Sequence, residues 1–270
     1  MADESPAADL VDPTDPRLAP WLGLRDHDGR RRREAPGGDM AGHFMAEGDV
    51  VIRRALAAGH RLDSVLVDAA RTAPIDWADP ADVLRAGPEA LVEVCGRPKL
   101  RDPIARFERP EPATVAEVID GARTIAVFEG VVNPTNVGVL MRCAAGLGVE
   151  AVLVDPTTCD PLYRRAVRVS MGETFAVPHA RCGPVAQTLA ELREAGFSSV
   201  ALTPAGDVDL DDIERSADDR VAIVIGAEGP GLTDDALQAA DRRVRIPMAA
   251  GVDSINVGAA AAVAFHVLRA

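Results

Sequence analysis

From about residue 122 the chain alternates two hydrophobic patterns. Short runs rich in Val, Ile and Ala fall at 124–129, 151–154, 175–177, 199–203, 221–225 and 244–247. Between them, apolar residues recur at helical spacing over 136–147, 161–169, 184–195, 233–240 and 254–269. Nearly continuous apolar strands alternating with helices predict a parallel sheet covered on both faces, an α/β fold. A smaller α/β region precedes it. Val50, Val51, Arg54, Ala55 and Leu56 give a helical pattern that begins near Glu47 and closes at Gly59, a residue suited to follow a helix end. The run Leu62-Asp63-Ser64-Val65-Leu66-Val67 reads as a strand, and residues 80–84 and 89–94 continue the region. Residues 98–112 contain four prolines and many charges, and predict an edge strand running into a linker. Residues 1–42 are rich in Pro, Asp, Gly and Arg without a sustained period. The expected division is an extension over 1–42, a small domain over 43–112, a linker over 113–121 and a large domain over 122–270.

Composition narrows the function classes. The 270 residues are 47% hydrophobic, enough to bury a real core and to exclude disorder throughout. No run reaches the roughly 18 apolar residues of a membrane helix. The most apolar stretch, 257–268, is alanine-rich, contains His266 and reads as a buried helix. The N-terminus is acidic and has no basic, apolar leader pattern, so the cytoplasm is the expected compartment. The four cysteines show no zinc-ligand spacing and are expected to be reduced thiols, with no metal bound. The net charge of -13 argues against a nucleic-acid partner unless positive charge is concentrated locally. Arginines do cluster, at 30–33, at Arg164, Arg165 and Arg168, and at Arg242, Arg243 and Arg245. Solvated faces in an arginine-rich chain would look the same.

Three constellations carry candidate chemistry. The first runs Asn133-Pro134-Thr135-Asn136-Val137-Gly138-Val139-Leu140-Met141-Arg142, after a strand and into a helix. Ligands of open α/β sheets sit beyond the carboxyl ends of strands. Asn136 is suited to cap the helix, Gly138 admits another backbone or a ligand, and Arg142 can reach a phosphate or carboxylate. The second is Gly226-Ala227-Glu228-Gly229-Pro230-Gly231, directly after an apolar strand. Glu228 breaks the glycine fingerprint of dinucleotide sites and would repel a pyrophosphate, which disfavours a nicotinamide enzyme. The third runs from Ile246-Pro247-Met248 to Ser254-Ile255-Asn256-Val257-Gly258 and the alanine run that follows. Taken singly, each has an ordinary reading as a cap, a turn or a close helix contact.

Together and in this order, the three resemble the SpoU/TrmH branch of the SPOUT RNA methyltransferases. The segment Arg165-Ala166-Val167-Arg168-Val169-Ser170-Met171-Gly172 is similar to that family too. The resemblance is strong over 122–270, weak over 43–112 and negligible before. It implies a C-terminal trefoil knot, rare among folds, that binds S-adenosyl-L-methionine, and a small N-terminal domain that binds RNA. It implies a homodimer that transfers a methyl group to a ribose 2′-hydroxyl, with ribosomal RNA favoured over transfer RNA by analogy. By resemblance the catalytic set is Arg142, Asn136, Glu228, Ser254 and Asn256. The cofactor set is Leu202, Thr203, Gly226, Ala227, Glu228, Gly229, Ile246, Met248, Ser254, Ile255 and Asn256. The RNA set is Arg142, Arg164, Arg165, Arg168 and Ser170. Either the surroundings of Arg142 lower its proton affinity enough for it to act as a base, or it positions the hydroxyl and stabilises developing charge; the second is adopted. Gly258 stands where the family often has Ser, and Ile255 where it often has Leu. A knotted RNA-binding protein without catalysis, and an unrelated α/β nucleotide-binding enzyme, are the competing readings.

Overall fold

The computed structural model describes residues 10–24, 27–34, 37–216, 218–250 and 252–269. The chain divides into two compact units, 1–110 and 111–270.

The first unit contains β1 (Leu10–Val11), α1 (His27–Glu34), β2 (His43–Glu47), α2 (Asp49–Ala57), β3 (Leu62–Asp68), β4 (Val83–Ala86), α3 (Pro88–Cys95) and β5 (Ile104–Glu108). Its sheet runs β1-β4-β3-β5-β2, with β5 antiparallel to both neighbours. The expected edge strand is therefore interior. All four prolines of 98–112 fall outside β5, so its N–H groups can serve two partners. Residues 10–24 also depart from the expected extension. Leu10 and Val11 extend the sheet, and Leu18, Trp21 and Leu24 are buried in the unit's core beside Leu66, Leu91 and Ile104. Of the arginines at 30–33, Arg33 pairs with Asp39 and donates to the carbonyls of Ala19 and Leu22; the side chains of 30 and 31 lie outside the described residues.

The second unit contains α4 (Val115–Ile119), β6 (Thr124–Phe128), α5 (Pro134–Gly146), β7 (Ala151–Val154), α6 (Arg164–Val169), β8 (His179–Arg181), α7 (Val185–Glu194), β9 (Phe197–Leu202), β10 (Val208–Asp209), β11 (Arg220–Ile225), α8 (Asp234–Ala239), β12 (Arg242–Arg245) and α9 (Val257–Val267). The expected linker at 113–121 holds α4, started by a reciprocal Thr114–Glu117 cap and fastened by buried Val118. All seven strands are parallel, in the order β10-β12-β9-β11-β6-β7-β8. Successive residues alternate between the two faces. Ala126, Phe128, Val152, Val154, Ile223 and Ile225 point to one core, with α5 and α9 residues such as Val137, Leu140, Ala261 and Phe265. Ile125, Val127, Ala151, Leu153, Ala222 and Val224 point to the other, with Leu189 and Leu192 of α7 and Ala236 of α8. That double burial is why the strands read as unbroken apolar runs. The run at 175–177 forms a tight helical turn and its neighbour instead, after Gly172 at φ 81°, and pairing resumes in β8. β12 ends at Arg245, before Pro247, which has no N–H to give a ladder.

Candidate functional site

Three neighbouring strands, β9, β11 and β12, end on one edge of the sheet, and the loops that follow them enclose a cavity of about 1080 Å³. Each loop is shaped locally. After β11, Gly226 passes so close to the next turn that a Cβ would lie 2.3 Å from the Gly231 carbonyl carbon. Only glycine fits there. Gly231 N–H closes the turn on the Ala227 carbonyl at 3.0 Å, and Gly229 and Gly231 adopt φ of 94° and 76°. After β9, Thr203 N–H donates to the Val244 carbonyl, and Gly206 lies against the backbone of Val244 and Arg245, where a Cβ would be 2.4 Å away. After β12, residues 246–249 and 252–256 are irregular backbone; Val252 N–H turns back to the Ala249 carbonyl and the Asn256 carbonyl accepts from Ala260 N–H to start α9. Asn256 ends this stretch as the N-cap of α9, its Oδ1 accepting from Gly258 N–H at 2.9 Å.

All eleven residues of the expected cofactor set line this cavity: Leu202, Thr203, Gly226, Ala227, Glu228, Gly229, Ile246, Met248, Ser254, Ile255 and Asn256. Asn136 lies just outside. Its Nδ2 donates to Glu228 Oε2 at 2.9 Å across 92 residues of chain, and Asn136 is itself buried. It is not the cap expected from sequence. That role belongs to Asn133, whose side chain accepts from Thr135 N–H at 2.9 Å, leaving Asn136 free to reach the Glu228 loop. Gly138 admits a backbone, as expected: a Cβ there would meet the Ala166 carbonyl of α6 at 2.6 Å.

Arg142 does not line the cavity. Six residues beyond Asn136 it faces elsewhere on α5, exposed and without a hydrogen-bonding or ionic partner among the described residues. Arg165 is exposed on α6, its Nε donating to Thr135 Oγ1 at 2.9 Å, with Arg164 half-buried and Arg168 exposed beside it. Ser170 cannot touch RNA directly. It is fully buried, its hydroxyl donating to the Val167 carbonyl and accepting from Thr174 N–H. The arginines at 242–245 are largely neutralised, because Arg243 pairs with Asp207 and Arg245 with Asp209.

Two positioning residues escaped sequence reasoning. Glu129, at the end of β6, is 8% exposed; its carboxylate accepts from Thr233 N–H at 2.8 Å and from Thr233 Oγ1 at 2.9 Å. It thereby fastens the exit of the Gly226 loop. Asp155, after β7, accepts from Gly130 N–H, Thr158 N–H and Thr157 Oγ1 and shapes the loop that leads into α5. Burial pushes the Asp155 carboxyl up, but these hydrogen bonds outweigh it and hold the group below the usual carboxylate range. Both residues followed apolar strands, where an acid is a noticeable break, but nothing in the sequence indicates their distant partners.

A parallel sheet with a cavity beyond adjacent strand ends, walled by glycine-rich backbone, defines an α/β ligand-binding domain. Residues 123–266 match the model of the SpoU rRNA Methylase family, more than half of the chain. The chain therefore belongs to that family of methyltransferases. It is 43% identical over 264 residues to an uncharacterized tRNA/rRNA methyltransferase of Mycobacterium tuberculosis, covering 96% of this chain and 90% of the relative. A 23S rRNA (guanosine-2′-O-)-methyltransferase, RlmB, of Burkholderia is 29% identical over 194 residues, 70% of this chain and 78% of the relative. The crystal structure of an AdoMet-bound rRNA methyltransferase from Sinorhizobium meliloti superposes with a TM-score of 0.72 at 25% identity, over 91% of this chain and 94% of the other.

Proposed function

We propose that this protein is an S-adenosyl-methionine-dependent RNA 2′-O-ribose methyltransferase acting on ribosomal RNA. The observation that carries the reading is the cavity whose rim is tied, through Glu228 and Asn136, to the start of α5. The residues suit the cofactor. Leu202, Ile246 and Met248 offer apolar walls for an adenine ring, and the irregular backbone at 246–249 and 252–256 offers groups for its edges and for the ribose. Glu228 and Asp253 favour a cationic ligand over a pyrophosphate. When bound, the cofactor supplies a methyl group on positively charged sulfur, an activated electrophile. In this reading Ser254 and Asn256 hold the loop against which the acceptor ribose is aligned, and alignment is the larger part of the barrier reduction.

A 2′-hydroxyl must also lose its proton and bear developing charge. The unpartnered cation of Arg142 is suited to hold the adjacent phosphate and the hydroxyl, but it lies away from the cavity of its own chain. The reading therefore includes a homodimer in which Arg142 of a second copy completes the site. Support comes from α9, where Ala259, Val263 and Val267 form an exposed apolar stripe at a spacing of four. The close passages at Gly206 and Gly226 are taken as parts of a threaded, knotted segment. RNA contacts are assigned to Arg164, Arg165 and Arg168. In the first unit they are assigned to Arg97, Lys99 and Arg101, exposed on one loop without ionic partners among the described residues. The choice of ribosomal RNA follows the family and the Burkholderia and Sinorhizobium proteins.

The test is transfer of labelled methyl from S-adenosyl-methionine into separated ribosomal and transfer RNA, beside Arg142→Ala. Alkali-resistant label in ribosomal RNA, lost in the variant, is the expected result. Label in transfer RNA alone overturns the substrate, and cofactor binding without transfer to either pool overturns the activity.

A further inference from the structure

The chain has two tryptophans, and they are placed differently. Trp21 is fully buried in the core of the first unit. Trp77 is half-buried in the irregular stretch 69–79, between β3 and the turn before β4. That stretch is pinned at several points. Asp68 Oδ1 accepts from Ala70 N–H at 2.8 Å. Arg71 donates to both carboxylate oxygens of Asp49 at 3.0 Å, and its Nε donates to the Ala73 carbonyl at 3.2 Å. Arg53 pairs with Asp76. The indole Nε1 of Trp77 donates to the same Asp49 at 3.3 Å. Nε1 is the one polar atom of the side chain, so whatever the side chain shows to water is ring carbon. Among the described residues no aromatic ring or guanidinium stacks on it.

The strand ends that hold this stretch also hold the cationic loop at 97–103. Asp68, at the end of β3, accepts from Leu100 N–H through its other oxygen at 2.9 Å. Gly48, at the end of β2 and next to Asp49, donates its N–H to the Pro103 carbonyl at 2.9 Å. The two segments are therefore fastened to the same end of the sheet. Arg97, Lys99 and Arg101 are exposed there without ionic partners among the described residues. The nearby acids are mostly committed: Asp49 is paired with Arg71, Asp76 with Arg53, and Asp68 serves backbone N–H groups. Asp102, half-buried, offsets one of the three cations. Ring carbon beside unpaired cations suits single-stranded RNA, with phosphates on the cations and an unstacked base on the ring. A duplex keeps its bases stacked on one another and offers the ring no face. An apolar protein segment would have to strip water from the cations to cover the ring.

Resting on the RNA methyltransferase reading above, we infer that Trp77 stacks on an unpaired base of the substrate RNA and so positions that RNA on the first unit. The experiment uses the full chain, unaltered and with Trp77→Phe or Trp77→Leu, and unmodified large-subunit rRNA transcribed in vitro. Tryptophan fluorescence and RNA affinity over a range of salt concentrations are measured. RNA should quench the fluorescence of the unaltered protein. The quench should vanish in Trp77→Phe, whose remaining tryptophan, Trp21, is buried. Trp77→Phe loses the bond to Asp49 but keeps a ring, and should bind RNA within about threefold of the unaltered protein. Trp77→Leu keeps an apolar side chain without a ring, and should bind about tenfold more weakly. Its slope of log affinity against log salt should not change, because stacking releases no counterions. The quench tests the inference in the unaltered protein even where Trp77→Leu fails to fold. Equal losses in the two variants overturn the inference, because the role would then lie in the Asp49 bond. Binding by Trp77→Leu within about twofold of the unaltered protein overturns it as well. Equal quenching by poly-glutamate would make this a surface for an acidic protein and overturn it too. Absence of RNA binding by the unaltered protein overturns the RNA reading along with it, whereas RNA binding that leaves Trp77 fluorescence unmoved overturns this inference alone.

Discussion

Substituting Gly258 by alanine tests the packing of α9 against α5, one residue beyond the cavity-lining Asn256 and Val257. A Cβ at 258 would fall 2.4 Å from Val139 Cγ1, far inside normal contact, and a tight 3.2 Å from Asn256 Oδ1. Val139 cannot simply swing away. It is β-branched on a helix, where one χ1 well dominates, and leaving it costs about 0.5–1.5 kcal/mol. The alternative is to part α5 from α9, which carries the usual overpacking cost of about 1–3 kcal/mol. Against this stands the preference of a helix for Ala over Gly, at most about 1 kcal/mol. The net expectation is destabilisation of about 1–2 kcal/mol. Val139→Ala removes the obstructing methyls, so the pair should interact favourably. A urea-denaturation cycle over wild type, Val139→Ala, Gly258→Ala and the double variant should give a coupling of at least 1 kcal/mol toward recovery. Gly258→Ser, the residue the family often carries, should behave as Gly258→Ala does and be accepted once Val139 is reduced. If Gly258→Ala is as stable as wild type, or the coupling is below about 0.5 kcal/mol, the steric reasoning is wrong.

Glu228→Ala should lower methyl transfer by tenfold or more, while Glu228→Gln, whose amide oxygen can still accept from Asn136, should retain much of the rate; equal losses in initial-rate assays would sink the proposed role of the Asn136 bond. Asp155 has a folded pKa below its unfolded value of about 3.9, so its contribution to stability is present above that value and is lost as pH falls through the lower one. Melting temperatures from pH 7 down to 3 should show Asp155→Asn less stable at neutral pH and converging with wild type in acid; parallel curves refute this. Replacing Arg97, Lys99 and Arg101 together by alanine should flatten the salt dependence of RNA binding, by up to about 0.7–0.9 in logarithmic slope for each lost phosphate contact. An unchanged slope removes that loop from the RNA surface. Glu129→Ala should cost about 1–3 kcal/mol in urea denaturation, because Thr233 loses two part-buried hydrogen bonds to a charged carboxylate.

The amino-acid sequence by itself carried the alternation of strand and helix after residue 122, because each strand is buried on both faces and so is apolar throughout. It carried α2 and its stop at Gly59, which takes φ 83°. It also carried the wall of the cavity, since loops that bring bare backbone to a ligand need glycine at fixed places, and that need is written locally at 226–231. What spans the chain was not legible. The Asn136–Glu228 bond joins residues 92 apart, and the Glu129–Thr233 bonds join residues 104 apart. The interior place of β5 depends on which strands flank it, and the edge place of β1 on a partner at residues 85–86. Ser170 looked like a surface hydroxyl beside arginines until the helix end turned it inward. Arg142 was expected to reach a phosphate or carboxylate, and only the packed helix shows it exposed and outside the cavity lining. A local pattern fixes the type and period of an element, but the identity of its neighbours is a property of the packed chain, and only the tertiary structure decides it.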